Sequence, residues 1–111
     1  MYNVIICGND YSMAKTIFKQ IKNLKNSMPE ANIEVVFNRS AVKTLLKGNE
    51  YIPTVKELIQ SGIKINACRN TLKEMKLSEE EVDTGAGIGM VNAAVEEIVR
   101  KQADGYFYLQ L

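Results

Sequence analysis

The sequence predicts an α/β domain whose five strands form a mainly parallel sheet between helix layers. Three observations carry this expectation. Short apolar runs alternate with longer segments whose apolar residues recur at three- and four-residue steps. The first run, Asn3-Val4-Ile5-Ile6-Cys7, is continuous, as suits a strand covered on both faces. Glycine, proline and capping residues stand at the joints between segments.

Gly8-Asn9-Asp10 ends the first strand, and Asp10 or Ser12 can cap the following helix. In that helix Met13, Ala14, Ile17, Phe18, Ile21, Leu24 and Met28 form an apolar stripe, with Lys15, Lys19, Lys22 and Lys25 off it. In a nearly neutral chain this lysine series reads as a solvated helix surface. A turn from Met28 to Asn32 leads into strand two, Ile33-Glu34-Val35-Val36-Phe37. Asn38-Arg39-Ser40 then enters a short helix bearing Ala41, Val42, Leu45 and Leu46, and Lys47 to Glu50 breaks it. Pro53 suits the first turn of the next helix, where its missing N–H costs nothing. Val55, Leu58 and Ile59 supply that helix's buried side, and Gly62 ends it.

Strand three runs from Ile63 to Ala67, and a helix with Leu72 and Met75 opens at Cys68. Ser78-Glu79-Glu80-Glu81 matches a capping box. The segment from Thr84 to Val91 reads as a fourth strand loosened by Gly85, Gly87 and Gly89, whose spacing is wrong for a dinucleotide fingerprint. Asn92 can cap the last helix, whose expected buried stripe is Ala94, Val95, Ile98 and Val99. Gly105 closes it, and Tyr106 to Leu111 forms strand five, its tyrosines packing on the sheet with wet tips. With no repeat, linker or low-complexity segment, residues 1–111 read as one domain.

Composition narrows the function classes. Hydrophobic residues make up 46% and charged residues 24% of the chain, as in an ordinary globular domain. The 14 basic and 13 acidic residues leave a net charge of +1, which offers no footprint for DNA or an anionic membrane. No apolar run approaches the ~18 residues of a spanning helix, and the expected location is cytoplasmic. There is no histidine, so histidine-based triads are excluded, and the two cysteines, Cys7 and Cys68, form no CxxC pair. No metal site and no cofactor are expected; a Walker lysine loop and a hydroxyl-rich flavin phosphate loop are both missing.

Right-handed crossovers with strand one central give the strand order 2-1-3-4-5, with a switch point between strands one and three. Ligands bind parallel sheets at that edge, so Cys7 and Asn9, Asn38 and Arg39, and Cys68, Arg69, Asn70 and Thr71 become the candidate site. Cys68 has the strongest chemical case: it opens a helix, where the dipole favours thiolate, and stands beside Arg69. The alternative is a half-buried structural cysteine. Cys7 reads either as a core residue or as a redox or relay thiol, and Arg39 and Arg69 as anion-holding side chains or as surface charges.

Three segments resemble the DsrE/DsrF-like sulfur-relay family in its small, single-domain YchN-like branch. They are Ile33 to Val42, Gly62 to Leu72 with its Ala67-Cys68-Arg69-Asn70-Thr71-Leu72 block, and Gly87 to Gln102, followed by Gly105-Tyr106. With the first strand and helix they cover nearly the whole chain. The resemblance implies a five-stranded, flavodoxin-like fold, assembly as a homo-oligomer (trimer or hexamer), and a persulfide carried on the cysteine matching Cys68. Asn70 and Thr71 match the polar residues beside it. Where relatives often carry histidine after strand two, this chain has Asn38, which removes a proton acceptor, and a Gly-Pro type turn there is Arg39-Ser40 here. The expected function is sulfur relay or sulfurtransferase-like transfer between protein thiols or persulfides. The alternatives are a non-catalytic oligomeric binding or scaffold protein and a redox sensor using Cys7 and Cys68.

Overall fold

The computed structural model describes residues 1–111. Five strands, β1 (Asn3–Gly8), β2 (Asn32–Phe37), β3 (Lys64–Cys68), β4 (Gly89–Val91) and β5 (Phe107–Gln110), form one sheet in which every pair is parallel. Four α-helices connect them: α1 (Ala14–Ser27), α2 (Ile52–Gln60), α3 (Arg69–Glu74) and α4 (Ala94–Ala103). The expected α/β class, strand count and chain order of elements therefore hold.

The strand order does not. It is β4-β3-β2-β1-β5 in place of 2-1-3-4-5. Each of the first three crossovers steps one strand in the same direction, and only the last, through α4, returns across the sheet to place β5 beside β1. Right-handed crossovers in one direction put their helices on one face, and the return puts α4 on the other. The direction change thus falls between β1 and β5, and β2 separates the strands that carry the two cysteines. β2, an edge strand in the expected order, is the central strand, and its Glu34 is only 3% exposed.

Strand periodicity divides the core accordingly. Val4 and Ile6 of β1, Ile33, Val35 and Phe37 of β2, and Ile65 and Ala67 of β3 pack beneath α1, α2 and α3 in the main cluster. The alternate residues Ile5, Val36 and Cys68 meet Ala94 of α4 in a second, smaller one. One helix covers that second face, so the apolar stripe expected of α4 is only partly used: Ala94 is buried, whereas Val95 is 71% and Val99 66% exposed.

Several local expectations are also revised. The segment after β2 is a 3₁₀ helix, Arg39–Leu45, not an α-helix. The glycine-rich run before β4 is a 3₁₀ turn, Thr84–Ala86, followed by Gly87 in the left-handed region, leaving only Gly89–Val91 as strand. Gly89 is required by its surroundings, because a Cβ there would collide with the buried Asn66 side chain. Asp10 caps the Tyr11–Met13 turn and Ser78 completes a full capping box, both as read from sequence.

Candidate functional site

Parallel strands end at one edge, so Phe37-Asn38, Cys68 and Val91 deliver their following residues to a common rim. A pocket of about 230 Å³ opens there. Its wall brings together Asn38 and Arg39 from the end of β2 with Cys68, Asn70 and Thr71 from the β3–α3 junction. Five of the sequence candidates thus converge, although the edge is not the topological switch point that suggested them.

Cys68 is the last residue of β3 and the N-cap of α3, with extended backbone and no capping bond from its side chain. It is only 3% exposed, its other neighbours being Ile5, Val36 and Ala94. Because α3 spans just 6 residues, its dipole is smaller than an extended helix would provide. The buried Thr71 joins two elements of the site, since its Oγ1 accepts a hydrogen bond from the Arg39 N–H at 3.1 Å. That bond pins the start of the 3₁₀ helix to α3 and holds Arg39 at φ 48°, a left-handed conformation costing roughly 1–2 kcal/mol for a side chain with Cβ. Arg39 is consequently presented at the pocket, with its side chain at the solvent-exposed surface.

Arg69 turns the other way. Its Nε donates to Glu79 Oε2 and its Nη1 to Asn92 Oδ1, each at 3.0 Å. It braces the capping-box turn and the β4–α4 link instead of facing the pocket. Asn92 is accordingly engaged as its acceptor, and the residue at the α4 N-cap is Ala93, without a side-chain cap. The first N–H groups of α4 lack partners within the helix, and Ala93, Ala94 and Val95 line the pocket opposite the thiol. Sequence reasoning missed this wall and also Glu74. Glu74 follows Asn70 by one helical turn, a spacing that could have placed it; small residues at 93 and 94 are the only hint of a close helix approach.

Cys7 and Asn9 do not line the pocket. The Cys7 thiol donates to Asn9 Oδ1 at 3.1 Å and stands 3.7 Å from Asn38 Oδ1. Burial, then the neighbouring Cys68, raises its pKa to about 11, with the Arg39 charge and Tyr108 hydroxyl opposing. Burial and Cys7 in turn raise that of Tyr108. Cys7 is therefore a protonated core thiol at neutral pH. At pH 8 it is expected to alkylate at least about a hundredfold more slowly than an ordinary thiol; a normal rate at Cys7 in peptide-mapped labelling would contradict this.

The register also opposes a bridge between the two cysteines. Cys7 pairs with Val36, and Phe37 with Ala67, so Cys68 lies two strands across and two residues farther along. Two strand spacings alone amount to ~10 Å, beyond the ~7 Å that a disulfide tolerates between Cα atoms. No group of three or more His, Cys, Asp or Glu side chains is arranged to hold a metal ion. No helix is long and apolar enough to cross a membrane.

Comparison with known proteins gives a consistent picture of the fold. The chain is similar over its full length to a protein of unknown function from Methanobacterium thermoautotrophicum, with 28% identity, complete coverage of both chains and a TM-score of 0.91. A conserved protein of unknown function from Bacteroides thetaiotaomicron is 18% identical, with 98% of this chain and 94% of that one covered and a TM-score of 0.76. The YchN protein of E. coli is 14% identical, with both chains fully covered and a TM-score of 0.79. No curated protein matches in sequence. The family model of the DsrE/DsrF-like family matches residues 2–111, so the resemblance of the Cys68 block extends along the domain and the chain belongs to the DsrE/DsrF-like family.

Proposed function

We propose that this chain is a sulfur-relay protein that carries a sulfane sulfur as a persulfide on Cys68. The observation supporting this most strongly is a thiol set into the wall of a small polar pocket, between the uncapped start of α4 and the polar residues that follow β2 and β3. Oriented N–H groups and a cation favour an anionic sulfur over a neutral one. Arg39 supplies the cation. Asn70 and Asn38 line the cavity as hydrogen-bonding side chains, and Thr71 fixes the Arg39 backbone.

In loading, the Cys68 thiolate attacks the outer sulfur of a donor persulfide. A bond forms between Cys68 Sγ and that sulfur, the donor's S–S bond breaks, and the donor departs as a thiolate with the bonding pair. The proton of the resting Cys68 thiol goes to solvent. Unloading is the same exchange with an acceptor thiolate as nucleophile and Cys68 as leaving group, so no external oxidant or reductant is consumed. Because Cys68 is almost fully buried, the donor must present its terminal sulfur through the pocket. Incubation with a persulfide donor followed by intact-mass measurement, in the wild type and Cys68→Ser, tests this reading.

The exposed ridge of Val95 and Val99 supports a second role that is compatible with the first: homo-oligomerisation, as a trimer or hexamer, with α4 at the interface and Cys68 beside it. An apolar strip on an otherwise solvated helix is the usual mark of a subunit contact. Val99→Lys is then expected to shift the sedimenting species to monomer. A wild type that already sediments as a monomer would remove this role and leave sulfur transfer untouched.

A further inference from the structure

The Cys68 pocket carries two opposite charges, Arg39 and Glu74, that have no ion-pair partner. The four ion pairs of the molecule join Lys22 to Glu57, Arg69 to Glu79, Arg100 to Glu96 and Lys101 to Glu34. Arg39 and Glu74 thus pair neither with each other nor elsewhere, although both rise from one wall. Thr71 Oγ1 holds the Arg39 N–H, and Glu74 follows Thr71 by three residues on the same side of α3. The Arg39 guanidinium comes near enough to Cys7 for its charge to oppose the rise in that thiol's pKa. The first turn of α4 forms a further wall, and no side chain caps its N–H groups. Its residues there include Ala93 and Ala94, whose single methyls leave the backbone accessible. Cys68 lines the same cavity at 3% exposure, its side chain making no capping bond.

We propose, resting on the sulfur-relay reading of Cys68, that its donor is a small zwitterion: an α-amino-acid hydropersulfide of the cysteine type. Arg39 and the α4 N–H groups hold its carboxylate, and Glu74 holds its ammonium. The cavity of about 230 Å³ is smaller than the ~300–1,000 Å³ of sites for drug-sized ligands and suits a molecule of amino-acid size. A thiol buried this deeply does not meet a cysteine on the flat surface of a partner protein, whereas a small persulfide enters the cavity whole.

The paired charges select the donor by what they reject. A donor with a carboxylate alone sets an uncompensated anion beside Glu74. A donor with an ammonium alone sets a cation beside Arg39 and the positive end of α4. The zwitterion satisfies both sides at once. In the transfer, the Cys68 thiolate attacks the terminal sulfur, the bond from Sγ to that sulfur forms, and the donor's S–S bond breaks. The amino acid leaves as its thiolate with the bonding pair and takes a proton from solvent, where the proton of resting Cys68 has gone. No oxidant or reductant is consumed.

Initial rates of loading, read by intact mass and divided by each donor's rate with a simple thiol, test the donor class. The probes are cysteine hydropersulfide, cysteamine hydropersulfide (ammonium only) and 3-mercaptopropionate hydropersulfide (carboxylate only). The wild type is expected to load from the first at least about fivefold faster than from either of the others. Glu74→Gln is expected to erase the advantage over 3-mercaptopropionate hydropersulfide, and Arg39→Gln the advantage over cysteamine hydropersulfide. Equal normalised rates in the wild type, or variants that slow all three donors alike, would overturn the proposal while leaving sulfur relay intact. Should a variant fail to fold, the wild-type ratios decide. If no donor loads Cys68, the relay reading fails, and L-serine, unreactive and nearly isosteric with cysteine, decides the zwitterion site. L-serine is then expected to shift the amide resonances of residues 68–74 and 93–95, with ethanolamine and 3-hydroxypropionate binding at least about fivefold more weakly. No shift, or equal binding of the three, would overturn it.

Discussion

Cys68→Ser is expected to abolish sulfane-sulfur loading entirely, whereas Cys7→Ser should load as the wild type does. The serine hydroxyl remains protonated at neutral pH and forms no stable bond to sulfane sulfur, so the substitution removes the acceptor while nearly conserving its volume. Cys7 is the necessary comparison because it too is a buried cysteine on the same face of the sheet. Its pKa of about 11 and its hydrogen bond to Asn9 keep it a thiol, and it does not line the pocket. Equal loss in both variants would show that loading depends on the fold around the cysteines and not on Cys68 itself. Retained loading in Cys68→Ser would assign the sulfur to another atom.

Phe37→Ala is expected to destabilise the fold by about 3–5 kcal/mol, as removal of a buried aromatic ring does. Phe37 is 0% exposed at the end of the central strand, where its ring lies 5.6 Å from that of Phe18 of α1. A Cβ built on Gly8 would stand 3.0 Å from the same ring, which shows how closely β1 approaches it. Against a typical domain stability of about 5–15 kcal/mol, that loss consumes a large fraction and should lower Tm by on the order of 15 °C or more. Phe37→Leu, which keeps most of the volume, should cost far less. Thermal unfolding of both variants checks the pair, and a similar Tm for Phe37→Ala and wild type would contradict this account of the core. The next residue is Asn38, so collapse around Phe37 would also disturb the pocket rim.

The local structure of this chain was readable because its signals are local. An unbroken apolar run marks β1, Ser78-Glu79-Glu80-Glu81 forms its capping box, and the β3–α3 hinge places Cys68, Asn70 and Thr71 next to one another whatever the sheet does. Family membership was readable from the same block. Strand order was not, because periodicity reports which face a residue occupies and carries no information on which strand lies alongside. Taking strand one as central put β2 at the edge, whereas it lies at the centre, where Glu34 is held by Asn66 and Lys101.

Side-chain direction was likewise hidden. Adjacency to Cys68 suggested that Arg69 holds an anion, but its guanidinium finds acceptors on Glu79 and Asn92, both remote in sequence. The less conspicuous Arg39 reaches the pocket instead, through a left-handed turn stabilised by Thr71. Val95 and Val99 show the complementary limit: helical periodicity identifies an apolar stripe but does not distinguish burial within one chain from exposure on its surface.

Peptide-level mass measurement of the wild type after exposure to a persulfide donor, before and after addition of an acceptor thiol, tests the central claim most directly. A gain of about 32 Da confined to the peptide containing Cys68, lost again when the acceptor is added, is the expected result. No gain, a gain on the Cys7 peptide, or a gain that the acceptor does not remove would contradict sulfur relay at Cys68.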